Sequence, residues 1–169
     1  GVSERYAFPG LNFQDDSFTA NEKHVRAICE GMLDRKMKLK WYCSLRVSTA
    51  ARSPELLELM KEAGCIALGF GVEYPDDAVL KAIQKNLTVE TMHAAMRNVA
   101  RVGFPHVKLF LINSLPGQNR LNSLKSRLIY NELLEMLEGR KSYKPKRGSY
   151  TLPCSRAMRS SAVPGQMNV

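Results

Sequence analysis

The sequence predicts an α/β fold built on a parallel sheet. Short apolar runs alternate with segments of helical periodicity, at steps of roughly thirty residues, as in a series of strand–helix units. One of the runs, at residues 65–72, is almost continuously apolar, which is typical of a strand that is covered on both faces. Such units are right-handed βαβ crossovers, and the pattern alone leaves a closed barrel and an open sheet as alternatives.

The first strand and helix are predicted around the segment NFQDDSFTAN, residues 12–21. An apolar run precedes its two aspartates, and Thr19 and Glu22 then have the spacing of a capping box. Apolar side chains follow at helical intervals, so a helix is predicted over residues 20–36. The next run, LKWYCSLRV at residues 39–47, is aromatic and β-branched and predicts a strand.

Proline and glycine mark the ends of the next helix. Ser53 and Pro54 predict its N-cap and first turn, and Gly64 ends it before the strand at residues 65–72.

Two helices and a strand complete this part of the pattern. A short helix is predicted over residues 76–84, and a longer one is capped by Thr88 and ends at Gly103. The strand at residues 106–113 then leads into a Pro-Gly turn.

Composition restricts the class of protein. With 169 residues, of which 44% are hydrophobic, one soluble domain is expected. No window is long and apolar enough to span a membrane and no leader segment is visible, so a cytoplasmic protein without a membrane partner is predicted. The four cysteines form no C-x-x-C pair and mostly lie in apolar runs, which favours buried, reduced thiols over a disulfide framework or a metal site.

The net charge of +9 is concentrated near the C-terminus. Residues 119–169 contain ten basic and three acidic residues, whereas residues 1–118 contain fifteen and thirteen. A solvated basic tail and a nucleic-acid-binding protein both fit this charge. No aromatic residues interleave with the basic ones in a stripe, so nucleic acid is not expected as a partner.

Polar residues follow each predicted strand, where the loops of a parallel sheet converge on a ligand. Each also has an ordinary explanation: the aspartates could cap a helix, the arginine could be a surface residue, and the glutamate could be solvated or paired with Lys81. Together they offer carboxylates for an ammonium group or a ribose diol, and a guanidinium for a carboxylate. In strand order they are Asp15 and Asp16, then Ser44 and Arg46, then Glu73, then Asn113 before Pro116 and Gly117.

Three segments resemble the core of a radical S-adenosylmethionine (SAM) enzyme. They begin FQDDSFTAN, ELLELMKEAGCIALGFGVEYPDD and LFLINSLPGQ, and the similarity runs over residues 12–118. The resemblance is closest to the subgroup that often carries a cobalamin-binding domain. It implies a partial TIM-like (β/α) barrel with parallel strands, incomplete at its N-terminus.

The resemblance also implies a role for each candidate residue. Asp15 and Asp16 would hold the methionyl amino group, Arg46 with Ser44 would lie on the methionyl carboxylate side, and Glu73 would bind the ribose. The segment from Asn113 through Pro116 and Gly117 would approach adenine through its backbone. The implied cofactors are SAM, a 4Fe-4S cluster and, in the parent protein, cobalamin, with a flavodoxin or ferredoxin as electron donor.

The implied function is that of an enzyme segment. An intact parent would generate a 5′-deoxyadenosyl radical for methylation, cyclisation or another radical transformation of an unidentified substrate. A non-catalytic α/β nucleotide-binding or scaffold module is the alternative, with a basic nucleic-acid-binding protein as a third.

Two departures from the family pattern stand out. The C-x-x-x-C-x-x-C loop that ligates the cluster is absent, so the chain is expected to begin at the family's second strand and to be inactive alone. Residues 1–118 would then form the partial core and residues 119–169 a divergent tail or one read in a shifted frame. For a native tail, residues 121–138 are expected to form an ordinary amphipathic helix.

Overall fold

The computed structural model describes residues 10–14, 18–112 and 115–138. Within these ranges, strands and helices alternate along the chain. The strands are β1 (Leu11–Phe13), β2 (Trp41–Leu45), β3 (Cys65–Glu73) and β4 (His106–Leu111). The helices are α1 (Glu22–Asp34), α2 (Val47–Arg52), α3 (Pro54–Glu62), α4 (Asp77–Ala82), α5 (Val89–Val102) and α6 (Arg120–Glu138).

The four described strands form one parallel sheet in the order β1-β2-β3-β4. A doubly wound sheet reverses its strand order at a switch point, whereas a barrel adds each new strand beside the preceding one. The uninterrupted order is therefore that of a barrel segment. The predicted α/β class and parallel pairing are confirmed.

The two faces of the sheet differ in burial. Side chains alternate between the faces along a strand, and β2 shows this as strict alternation of buried and half-buried residues. The buried face packs in the hydrophobic core together with apolar residues of the helices. We call the opposite face the inner face; its residues on β2, β3 and β4 are Tyr42, Ser44, Ala67, Gly69, Gly71, Glu73, His106, Lys108 and Phe110.

Several predicted helix ends are confirmed. The Thr88 hydroxyl accepts a hydrogen bond from the Thr91 N–H at 3.1 Å and caps α5, which ends at Gly103 with φ +76°. Asp76 likewise caps α4 by accepting from the Val79 N–H at 3.0 Å.

The predicted capping box of α1 is wrong. Asn21, not Thr19, is the N-cap, and its side chain accepts from the His24 N–H at 3.2 Å. The helix consequently covers Glu22–Asp34 instead of residues 20–36. Thr19 contacts the chain after β2, where its hydroxyl accepts from the Arg46 N–H at 3.4 Å. A tertiary contact thus takes the hydroxyl that local spacing assigned to the helix.

Glu22 ties α1 to the start of α3. Its carboxylate accepts hydrogen bonds from Arg52 and from the Ser53 hydroxyl, the latter at 2.7 Å, and these bonds lower its pKa. Ser53 stands at the N-cap of α3, as predicted, but makes no side-chain capping bond because its hydroxyl is committed to Glu22.

The segment after β2 also differs from the prediction. The strand predicted over residues 39–47 is limited to Trp41–Leu45, since Val47 already begins the short helix α2. That helix, VSTAAR, was not predicted. Its β-branched first residues resemble the end of a strand when only intrinsic preference is considered.

The strand predicted over residues 106–113 is observed as His106–Leu111, and Asn113 lies outside the described residues. Helix α6 then forms as the native-tail alternative predicts, with Leu133 and Leu137 buried in the core. The shifted-frame explanation stays a prediction, and residues 139–169 lie outside the described ranges.

The three described cysteines, Cys29, Cys43 and Cys65, are buried free thiols, as expected. Burial raises the pKa of the Cys29 thiol to about 11 and raises that of Cys65 further. Among the described helices, none is long and apolar enough to cross a membrane.

Candidate functional site

A cleft of about 480 Å³ opens at the carboxyl ends of β2 and β3. Its volume lies within the range of roughly 300–1,000 Å³ that is usual for small-molecule sites. It includes inner-face residues of both strands, the start of α2, and the loop after α4. The lining residues are Ser44, Leu45, Arg46, Val47, Ser48, Gly69, Gly71, Glu73, Lys85, Asn86 and Leu87.

Glu73, the last residue of β3, is held in an unusual backbone conformation. Its φ of +61° lies in the left-handed region, which costs a non-glycine residue roughly 1–3 kcal/mol. The pairing of β3 with β4 shifts register between Gly71 and Glu73, and the Glu73 carbonyl accepts from the Ile112 N–H at 2.8 Å. The surrounding pairing therefore fixes this residue where its side chain lines the cleft.

The Glu73 carboxylate pairs with Lys85, which also lines the cleft. Lys85 Nζ lies 2.6 Å from Glu73 Oε1, and the two side chains are 41% and 16% exposed. Lys85, not the Lys81 considered from the sequence, is thus the partner of this acid. The 2.6 Å contact involves Glu73 Oε1 and not the second carboxylate oxygen, Oε2.

Lys85 is a cleft residue that sequence reasoning missed. It follows Gln84, whose φ is +55°, and its N–H donates to the Leu80 carbonyl at 2.9 Å as α4 ends. This turn carries the side chain back towards β3. A lysine just beyond the predicted helix end at residue 84 was the available signal, but the direction of the turn depends on a left-handed residue that the pattern does not reveal.

Two glycines of β3 leave the space of the cleft open. A Cβ on Gly71 would lie 2.8 Å from Glu73 Oε1. A Cβ on Gly69 would lie 2.6 Å from the Tyr42 hydroxyl and 2.9 Å from the Phe110 ring. The side chains of Tyr42, Glu73 and Phe110 therefore lie directly against the backbone of β3 at these glycines, and a side chain at either position would collide with them. Close approach to a backbone is a common use of strand glycines.

Ser44 and Arg46 provide the wall on the β2 side. Ser44 is half-buried on the inner face, and Arg46 is exposed at the N-cap of α2, where its carbonyl accepts from the Thr49 and Ala50 N–H groups. The structure thus brings Ser44, Arg46 and Glu73 together in one cleft.

Among the remaining candidates that the structure describes, Pro116 and Gly117 do not line this cleft. Asp15, Asp16 and Asn113 lie outside the described residues. Pro116 and Gly117 are exposed in the turn before α6, and the Gly117 carbonyl accepts from the Asn122 side chain at 2.8 Å. Their predicted approach to adenine stays a prediction.

The described residues do not fit an iron–sulfur cluster. In the described ranges, no three side chains among histidine, cysteine, aspartate and glutamate are placed to hold a metal. A thiolate is the form that ligates iron, and burial disfavours it for Cys29 and Cys65.

A family model described as "Radical SAM superfamily" matches residues 8–121, about two thirds of the chain. The chain belongs to the radical SAM superfamily. The resemblance found in the sequence is therefore confirmed at the level of the family.

Two curated relatives indicate the range of radical SAM proteins that this chain resembles. It is 28% identical over 115 residues to an uncharacterized methyltransferase of Pyrococcus horikoshii, covering 68% of this chain and 24% of that protein. It is 32% identical over 85 residues to the anaerobic magnesium-protoporphyrin IX monomethyl ester cyclase of Cereibacter sphaeroides, covering 49% of this chain and 14% of that protein. The chain thus spans about a quarter or less of the length of these relatives.

Two solved structures share the fold. The radical SAM methyltransferase TsrM from Kitasatospora setae, solved with cobalamin and a [4Fe-4S] cluster, gives a TM-score of 0.68 at 14% identity, covering 78% of this chain and 27% of that one. OxsB, solved with aqua-cobalamin and SAM, gives 0.69 at 20% identity, covering 95% and 29%. At such identities the likeness concerns the fold, and it confirms the predicted partial barrel of this chain.

Proposed function

We propose that the cleft between β2 and β3 binds SAM, and that the chain is the cofactor-binding segment of a radical SAM enzyme. The observation that carries this proposal is Glu73, a strained, largely buried acid aimed into a cleft at the carboxyl edge of a parallel sheet. Strain is retained where the surrounding structure enforces it, and such positions concentrate at ligand sites. Family membership supplies the identity of the ligand.

The polar groups of the cleft match the groups of SAM. Glu73 would accept hydrogen bonds from the ribose hydroxyls, because a carboxylate accepts strongly from O–H donors. Arg46, with Ser44 beside it, would hold the methionyl carboxylate, and Lys85 adds a second cation to the cleft lining. Asp15 and Asp16 are proposed for the methionyl ammonium, and the backbone of Asn113, Pro116 and Gly117 for adenine.

Ligand binding would rearrange the pair between Glu73 and Lys85. One oxygen of the Glu73 carboxylate contacts Lys85 Nζ at 2.6 Å. The ribose diol of SAM would need acceptor oxygens on this same carboxylate. Lys85 is long and 41% exposed, so it can turn towards a ligand carboxylate while Glu73, fixed by the backbone pairing of β3 with β4, keeps its place.

The remaining components belong to the proposed parent protein. When bound, SAM and a 4Fe-4S cluster supply a 5′-deoxyadenosyl radical for a methylation, cyclisation or related step. The cluster ligands would come from outside this chain, which alone would be inactive. Cobalamin is proposed on the likeness to TsrM and OxsB. A flavodoxin or ferredoxin is proposed as the electron donor, and the cytoplasm is proposed as the location.

Equilibrium binding of SAM to the full chain tests the role of Glu73. Glu73→Gln keeps the size of the side chain but weakens it as an acceptor, and we expect SAM affinity to fall roughly tenfold. Isothermal titration calorimetry measures the change. The control is Glu62→Gln, which makes the same substitution at an exposed position at the end of α3.

The proposal requires that the unsubstituted chain and Glu62→Gln bind SAM alike. Equal SAM affinities of Glu62→Gln and Glu73→Gln would show that Glu73 does not contribute to SAM binding. Absence of saturable SAM binding by the unsubstituted chain would contradict the proposed function itself.

A further inference from the structure

Helix α6 has an apolar face that points away from the protein. Leu121, Leu124 and Leu128 are 65%, 60% and 63% exposed, and we call these three residues the leucine stripe. The other large apolar side chains among the described residues that are exposed, Leu11, Leu33 and Met37, reach 42% at most. A contiguous stripe of this exposure calls for a partner, whereas single exposed apolar residues do not.

The stripe lies opposite the face by which α6 packs on the protein. That packed face contains Ser126, Leu133 and Leu137, which are buried. At about 100° per residue, the mean direction of the leucine stripe lies roughly 180° around the helix from these residues.

Basic residues border the stripe on both sides. Arg120 and Arg127 lie along one edge and Lys125 along the other, and all three are exposed. Residues 119–131 contain no acid, the first being Glu132. The amino-terminal half of α6 therefore combines exposed leucines with a cationic border, which is the pattern of a helix that lies in a membrane interface.

We propose that the leucine stripe docks on an anionic lipid surface, with the leucines at the acyl boundary and the three basic side chains at the phosphates. The charges decide between occupants. A second copy using the same stripe would place these cations against one another, since a two-fold contact pairs a patch with itself. Nucleic acid would match the cations but leave the leucines exposed. The sequence predicted no membrane partner, but that expectation rested on spanning segments, and α6 would lie on the surface.

Vesicle sedimentation with the full chain tests this docking. The vesicles contain phosphatidylcholine with or without phosphatidylserine. We expect binding to the mixed vesicles, and we expect Leu124→Ser/Leu128→Ser to weaken the partition coefficient roughly tenfold, since both leucines lose burial in the interface. The matched control, Leu33→Ser/Met37→Ser, removes two exposed apolar side chains elsewhere and should bind like the unsubstituted chain.

The two serine variants separate the stripe from general electrostatics, because both keep every charge of the chain, including those of residues 139–169. Arg120→Gln/Lys125→Gln/Arg127→Gln should also weaken binding, more than Lys23→Gln/Lys36→Gln/Lys38→Gln does. Circular dichroism checks that each variant is folded.

Three outcomes would overturn the proposal. One is the absence of binding to the phosphatidylserine vesicles. Another is equal binding by the two serine variants, which would assign binding to charge alone. The third is a dimer in light scattering that Leu124→Ser/Leu128→Ser dissociates, which would assign the stripe to a second copy. SAM affinity is measured separately and does not enter any of these results.

Discussion

Gly64→Ala is expected to lower the free energy of unfolding by roughly 3 kcal/mol or more. Gly64 joins α3 to β3 with φ +95°, and a Cβ there would lie within 2.0 Å of the Leu39 carbonyl oxygen. Backbone overlap of this kind cannot be relieved by rotating a side chain. The Gly64 carbonyl also accepts from the Trp41 N–H at 3.1 Å, so moving the turn would disturb the start of β2.

The same substitution in a helix provides the control. Gly31 lies in α1, where an added Cβ would meet Arg35 Nη1 at 3.0 Å, at the end of a flexible side chain. Gly31→Ala should therefore stabilise the protein by roughly 0.5–1 kcal/mol, since alanine is the better helix former. Urea unfolding of both variants measures the two changes. Similar effects at the two positions would show that the turn at Gly64 tolerates a side chain.

Gly71→Val is expected to weaken SAM binding roughly a hundredfold while the protein remains folded, given that each 1.4 kcal/mol is a factor of ten. Gly71 lines the cleft, and a Cβ there would stand 2.8 Å from Glu73 Oε1 and 3.9 Å from Lys85 Nζ. A valine would occupy ligand space and displace the Glu73 carboxylate. The protein should remain folded because the backbone φ of Gly71 is not in the left-handed region and valine suits a strand.

The control for this prediction is Ala67→Val. Ala67 is also on the inner face of β3 but lies nearer the beginning of the strand, away from the cleft lining. It should leave SAM affinity almost unchanged. Titration calorimetry and thermal unfolding would be run on both variants. Undiminished SAM binding by a folded Gly71→Val protein would mean that the ligand lies elsewhere.

The fold was predictable from the sequence wherever local preference and burial favour the same element. β3 was recognised because residues 65–72 form an almost continuous apolar run, and α5 because Thr88 and Gly103 mark its ends. The cap of α1 and the helix α2 were missed. At α1 a tertiary contact takes the hydroxyl of Thr19, and at α2 the β-branched residues Val47 and Thr49 favour a strand locally although the segment folds as a helix.

The same distinction holds for the cleft. Parallel strands bring their carboxyl ends to one edge, so Ser44, Arg46 and Glu73 could be grouped without coordinates. Lys85 could not, since its place depends on the left-handed turn at Gln84. The strain at Glu73 was equally invisible, because it arises from the register shift between β3 and β4.

SAM binding in the cleft is tested most directly by mapping amide chemical-shift changes as SAM is added to the isotope-labelled full chain. The largest changes should fall on Gly69, Gly71, Glu73 and Lys85, with saturation at the calorimetric affinity and no comparable change on α6. Shifts that saturate but concentrate away from the carboxyl ends of β2 and β3 would contradict the assignment of this cleft as the SAM site.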